Sequence, residues 1–205
     1  MEYWHALITE KSWEILQKLK GKFDFVLIGG WATYLWAKSQ KSKDIDVIID
    51  FTNLEKLKKE YLLRKNDNLK KYEIKIEEID IDIYLPFYSK LTIPIEDIPK
   101  EEITKIEGFS VVSKEILLIL KQGAEEDRAL SEKGEKDRID ILSLVFFCDI
   151  DYKKYFRLLK KYQKENYYQK LINITKKFKG YQSFNMTPRQ LKLKKKQVIE
   201  KIKES

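Results

Sequence analysis

The sequence holds one cysteine, Cys148, and one histidine, His5, among 205 residues. A disulfide framework, a zinc site and a Cys–His catalytic pair all need more of these residues, so none of the three is expected. Cys148 is expected inside the apolar helix and reads as a small core residue. No apolar run approaches the length that crosses a bilayer, and no basic-then-apolar leader opens the chain, so the expectation is a cytoplasmic protein with no membrane partner. There is no internal repeat. Arginine is scarce, with Arg64, Arg128, Arg138, Arg157 and Arg189 the only five, so lysine carries most of the positive charge.

That charge is unevenly placed. Residues 152–205 contain 17 Lys+Arg against 3 Asp+Glu, a net charge of +14, while residues 1–151 carry −6. Bases alternate with aromatics between residues 152 and 179 (Tyr152, Tyr155, Phe156, Tyr162, Tyr167, Tyr168, Phe178), and a lysine-rich stretch over 189–203 follows the Met186-Thr187-Pro188 break. Such a surface suits a phosphate backbone with stacked bases, which points to RNA or another single-stranded partner. The alternative is a helical bundle with a solvated lysine face, since Tyr155, Leu158, Leu159 and Tyr162 also form an i, i+3, i+4, i+7 apolar stripe.

The densest local pattern lies between residues 25 and 50. Phe25-Val26-Leu27-Ile28 reads as a strand, and Gly29-Gly30 separates it from a helical run that begins near Trp31. Glycines at a helix N-terminus bend tightly and leave backbone N–H groups bare for a phosphate. Asp44 and Asp46 then alternate with Ile45, Val47 and Ile49, which in a strand puts both carboxylates on one face and the aliphatic chains on the other. Paired like charges repel unless a proton or cation lies between them, and Mg²⁺ takes oxygen ligands of this kind together with phosphate oxygens. Farther along, Ile79, Ile81 and Ile83 alternate with Asp80, Asp82 and Tyr84, a second strand with a polar face.

The order strand, Gly-Gly, helix, Asp-x-Asp strand resembles the nucleotidyltransferase superfamily, and Gly29-Gly30-Trp31-Ala32 looks like its abortive-infection toxin and minimal nucleotidyltransferase branches. The resemblance implies a third carboxylate on a strand beside the first pair. Asp82 is expected in that place, with Asp80 as the alternative. It also implies two Mg²⁺ ions held by Asp44, Asp46 and Asp82, a nucleoside triphosphate seated at Gly29 and Gly30, and transfer of a nucleoside monophosphate to a hydroxyl. The acceptor implied is RNA such as a tRNA end, or else a small aminoglycoside-like compound or a protein side chain. A toxin role would add an antitoxin protein as partner, and a catalytically silent binding module of the same fold is the remaining alternative. Lys136-Asp137-Arg138-Ile139-Asp140 resembles a downstream element of the toxin branch in which the lysine approaches phosphates, and Lys121 is a second candidate for that contact. Lys136 and Asp140 could equally form a surface i, i+4 ion pair. The family that the chain resembles often places an arginine shortly before its Asp-x-Asp. Here Ser39-Gln40-Lys41-Ser42-Lys43 occupies that stretch, so lysine would act there as a point charge.

The periodicity predicts helices near 9–19, 31–38 and 53–64, strands near 25–28, 44–50, 72–77 and 79–85, and a short strand at 108–112. Residues 72–85 read either as a hairpin or as one bent strand, a proline-marked loop follows, and everything from Ser113 onward reads as helical. The expected fold is α+β with a small mixed sheet of nucleotidyltransferase type and flanking helices. Residues 1–112 would form the catalytic core and 113–205 a helical region with a basic tail.

Overall fold

The computed structural model describes residues 2–204, with side chains from residue 6 to residue 204. It divides into two compact units, Met1–Leu35 with Gln40–Ser113, and Trp36–Ser39 with Lys114–Ser205. The fold is α+β: a seven-stranded mixed sheet lies in the first unit and the second is helical. Among the described residues no helix is long and apolar enough to cross a membrane.

In the first unit the elements run α1 (Glu2–Lys20), β1 (Val26–Ile28), α2 (Gly29–Ala37), β2 (Ile45–Ile48), α3 (Phe51–Glu60), β3 (Arg64–Asn66), β4 (Lys71–Ile76), β5 (Ile79–Tyr84), β6 (Ile103–Ile106) and β7 (Phe109–Val112). Across the sheet the order is β3-β4-β5-β2-β1-β7-β6. The neighbours β2 and β5 are parallel, as are β1 and β7, while the other adjacent pairs are antiparallel. The isoleucines of β5 are all buried, so the alternation seen in the sequence sets which face meets the core. α1 supplies Ile15, Leu16 and Leu19 to that core. Its Trp13 ring packs 5.0 Å from Trp31 and 5.4 Å from Phe109, and the Trp31 Nε1–H donates to Ser12 Oγ at 2.9 Å. The single histidine, His5, belongs to α1, with its side chain outside the described residues.

Several details depart from the sequence expectations. α1 is longer than the predicted helix, and α2 begins at the glycines rather than after them. Residues 71–84 form a hairpin, closed by Ile76 opposite Ile79 with Glu77 at φ 54°. The sequence pattern did not reveal β3 and β6, because each is a short edge strand without a fully buried residue and so carries no clear alternation. β6 turns into β7 through Glu107 and Gly108, both at positive φ (52° and 77°), the signature of a two-residue hairpin turn whose twist matches the strands.

The second unit contains α4 (Lys114–Arg128), α5 (Glu132–Phe147), α6 (Tyr152–Lys161), α7 (Asn166–Lys177) and α8 (Pro188–Lys203). Side chains cap the starts of three of these helices: Ser131 for α5, Asp151 for α6, and Thr187 with Gln190 as a reciprocal capping box for α8. Ile116 to Leu120 of α4 and Ile141 to Phe146 of α5 form the buried centre. Cys148 is not inside the helix but caps its end, half-buried rather than core, and burial pushes its thiol up to about 11, so it stays protonated at neutral pH. The aromatics of the basic region divide by burial. Tyr152, Tyr155, Leu159 and Tyr167 are buried core, whereas Phe156, Tyr162 and Tyr168 are half-buried. α8 buries Leu191, Val198 and Ile202. Lys195 is not a freely solvated base, since its ammonium donates to the carbonyls of Lys176 at 2.5 Å and Phe178 at 2.8 Å at the end of α7.

Candidate functional site

A single register line across the first unit collects the acidic residues. Arg64 of β3 lies opposite Glu73 of β4, Glu73 opposite Asp82 of β5, Asp82 beside Asp46 of β2, and Asp46 opposite Ile28 of β1. Because direct cross-strand partners share a face, Glu73, Asp82 and Asp46 are three adjacent carboxylates in one row. Asp44 lies in the bend that leads into β2, two residues before Asp46. Its charge acts on Asp82. Asp80, the alternative third carboxylate, faces outward and lies 3.7 Å from Lys75 with its side chain 54% exposed, against 22% for Asp82.

The glycines are required by this row. Gly29 sits at φ +68°, where a side chain is strained, and a Cβ there would fall 2.1 Å from Oδ2 of Asp46. At Gly30 a Cβ would meet Oγ of Ser42 at 2.5 Å. The first turn of α2 is thus pressed directly against the Asp46 carboxylate and the buried Ser42 hydroxyl. The helix carries no acidic residue in that turn, so its positive end is left to groups outside it.

Like charges in adjacent positions demand a cation, and Lys71 provides it. Its ammonium donates to Oδ2 of Asp82 at 2.6 Å and lies 3.2 Å from Oε1 of Glu73. Burial pulls the Lys71 ammonium down, but the hydrogen bond and charge of Asp82, then those of Glu73, more than offset it and leave the group above its ordinary value. Burial raises the Asp82 carboxyl, Lys71 opposes the shift, and the charges of Glu73 and Asp44 add to it, for a net rise. Glu73 goes the other way. A hydrogen bond from the Asn66 amide at 2.9 Å, helped by Lys71, holds it below the usual carboxylate range against the effect of burial. The two neighbouring acids are therefore pushed apart: Glu73 is the better anion and Asp82 the better base. Nothing in the sequence marks Lys71 or Glu73, because their role depends on a register that only the folded hairpin defines. The lysine-tyrosine-glutamate spacing, which puts two opposite charges on one strand face, is the only trace.

Among the described residues no three of His, Cys, Asp and Glu are gathered as a ready ligand set, and the cation in contact with Asp82 is the lysine ammonium. The donors themselves fit a hard divalent ion. Asp44, Asp46 and Asp82 offer carboxylate oxygens alone, two of them from neighbouring parallel strands in register.

The downstream candidates assemble within the second unit. Lys121 of α4 is buried, with its ammonium 2.6 Å from Oδ2 of Asp140 and 3.4 Å from Oδ1 of Asp137. Arg128 donates to both oxygens of Asp137, from Nε at 2.6 Å and from Nη2 at 3.0 Å. Asp137 and Asp140 are 1% and 3% exposed, so both charges need these partners. Asp140 is thus engaged by Lys121 across the two helices and not by Lys136 one turn away on α5. Lys136 itself is half-buried.

No family model and no curated protein matches the sequence. Solved structures do resemble the fold. The antibiotic-resistance factor ANT(2'')-Ia superposes with a TM-score of 0.54 at 13% identity, over 80% of this chain and 94% of that one. The crystal structure of ANT(2'')-Ia in complex with adenylyl-2''-tobramycin gives a TM-score of 0.52 at 13% identity, over 77% and 98%. A candidate nucleotidyltransferase from Helicobacter pylori matches at 20% identity over 96% of this chain and 94% of that one, with a TM-score of 0.49.

Two outcomes test this geometry. Gly29→Ala should lose at least about 2 kcal/mol of stability in urea unfolding, from the left-handed backbone and the collision with Asp46 together. An unchanged midpoint would mean that Asp46 turns away freely. Lys71→Met should cost about 2 kcal/mol at pH 7, because two half-buried carboxylates lose their shared cation. Without that cation the Asp82 carboxyl rises further above its unfolded value and Glu73 loses part of what holds it low, so the loss is present at neutral pH and shrinks as pH falls through the carboxylate range. Melting curves from pH 7 to pH 4 would show it, and a pH-independent loss would contradict it.

Proposed function

We propose that this chain, whose fold is that of the nucleotidyltransferases, moves a nucleoside monophosphate from a nucleoside triphosphate to an acceptor hydroxyl. The observation that carries the reading is Asp46, set between the glycine-started helix α2 and Asp82. Gly29 and Gly30 would offer their N–H groups, at the positive end of α2, to the triphosphate. Asp44, Asp46 and Asp82 would hold two Mg²⁺ ions, which when bound supply neutralisation of phosphate charge. In the reaction the acceptor oxygen forms a bond to the α-phosphorus, the bond to the β-phosphate oxygen breaks, and pyrophosphate leaves. Asp82 would take the hydroxyl proton, since a carboxylate in contact with the attacking oxygen and a metal needs little tuning for that role. Lys121, Asp137 and Asp140, which the resemblance implies as nucleotide contacts together with Lys136, form a buried charge cluster within the second unit.

The acceptor we favour is RNA, including a tRNA end, in a cytoplasmic protein that would act as the toxin of a toxin–antitoxin pair. The net charge of +14 over residues 152–205 supports RNA. A second reading takes a small hydroxyl compound as acceptor. It is supported by the likeness to a structure that contains adenylyl-2''-tobramycin.

Incubation with each labelled nucleoside triphosphate, Mg²⁺ and either total RNA or an aminoglycoside should label one acceptor class. Replacing Asp44 and Asp46 together by Ala should lower that transfer by roughly a thousandfold, as expected for several kcal/mol of lost electrostatic stabilisation. The melting temperature should stay equal or rise, because crowded carboxylates are removed. Transfer that survives the double replacement would rule this site out.

A further inference from the structure

The helical unit contains an open groove of about 800 Å³ between α6 and α7, lined by Phe156, Leu159 and Tyr168 together with Lys153, Arg157 and Lys160. The Phe156 and Tyr168 rings touch at 4.7 Å with a 51° tilt and are only half-buried, so aromatic surface faces the opening. Lys153, Arg157 and Lys160 recur at i, i+4 and i+7 and therefore form one row along α6. Four cations nearby are engaged. Lys154 pairs with Glu115 and Lys170 with Glu126, while Lys161 and Lys164 lie over tyrosine rings. The three in the groove have no acidic partner among the described residues. Two acids also line the groove, Asp151 and Glu165. The Asp151 carboxylate is taken up as the cap of α6, where it accepts from the Lys154 N–H, and Glu165 stands at the start of α7.

We infer that this groove binds a single-stranded RNA segment, with a base against Phe156 and Tyr168 and the backbone along Lys153, Arg157 and Lys160. Unpaired cations held in a row are an unfavourable surface unless an anion covers them, and an aromatic floor beside them suits a base attached to that anion. A duplex keeps its bases stacked inward and cannot use the floor. The inference rests on RNA as acceptor and assigns its docking site to α6 and α7 rather than to the lysines of α8. One of those, Lys195, is already spent on the end of α7.

The test uses the full chain without any nucleoside triphosphate and a fluorescent single-stranded oligoribonucleotide of about ten nucleotides, within the usual site size. Anisotropy should show binding that weakens steeply with salt. The triple variant K153E/R157E/K160E should flatten the log–log salt slope by about 2, from roughly 0.7 for each of three lost contacts. Tyr168→Leu keeps the apolar bulk, so it should weaken binding about tenfold or more with the slope unchanged. Both variants should melt within a few degrees of the parent. Wild-type affinity and slope in the triple variant would overturn the proposal. So would equal competition by polyglutamate or by an RNA duplex, which would make the groove a site for acidic protein or for charge alone. Nucleotide transfer is scored separately. RNA that binds the groove but receives no nucleotide removes the acceptor assignment and leaves the groove. Equal transfer by the triple variant removes the groove and leaves the acceptor.

Discussion

Lys71 is the charge on which the sheet's acidic row depends. Three carboxylates from three adjacent strands, Glu73, Asp82 and Asp46, stand in line on one face, an arrangement that costs free energy at every step unless opposite charge is interposed. The fold answers with Lys71 between Glu73 and Asp82, and with the first turn of α2 against Asp46. The two devices differ. An ammonium on a flexible stem can move aside, whereas the helix end is fixed by Gly29 and Gly30 and by the collisions any larger residue would make there.

The same row links packing to chemistry. Ile45, Val47, Ile79, Ile81 and Ile83 are nearly fully buried, and each contributes about 1.5–3 kcal/mol of apolar burial, which holds β2 and β5 in the register that makes Asp46 and Asp82 neighbours. A one-residue slip would bury the aspartates and expose the isoleucines, so the core indirectly enforces the spacing of the carboxylates. Crowding of like charge, maintained against its cost by hydrophobic burial, is an arrangement expected of a site rather than of a structural surface.

The helical unit follows a different electrostatic plan. At its centre buried charges are fully matched, with Lys121 and Arg128 shared among Asp137 and Asp140. Burying such a set is worthwhile only when each charge keeps its partners, and it ties α4 to α5 specifically. In the groove beside α6, by contrast, Lys153, Arg157 and Lys160 form no ion pair with the acids that also line it. The contrast between a neutralised centre and an unneutralised groove is what separates framework from binding surface here.

Much of this was legible in the residues alone. The alternations Ile45-Asp46-Val47 and Ile79-Asp80-Ile81-Asp82-Ile83 determine two strands with carboxylates on the face opposite the aliphatic chains, since side chains alternate every two residues, whereas Asp44, expected in the same strand, lies in the bend before it. Gly29-Gly30 marks the strand-to-helix turn, because only glycine tolerates that backbone and that closeness. The lysine-rich last quarter predicts a basic helical surface. The tertiary structure alone decided which of Asp80 and Asp82 stands beside Asp46, because the two share a face and period and differ only in register against a strand some 35 residues earlier. It also decided that Lys71 and Glu73 join the row, that Asp140 pairs with Lys121 rather than Lys136, and that Lys195 closes α7 while Lys153, Arg157 and Lys160 face a groove. Each of these depends on contacts between segments distant in sequence, whose geometry is set by the packing of the whole core and not by local periodicity.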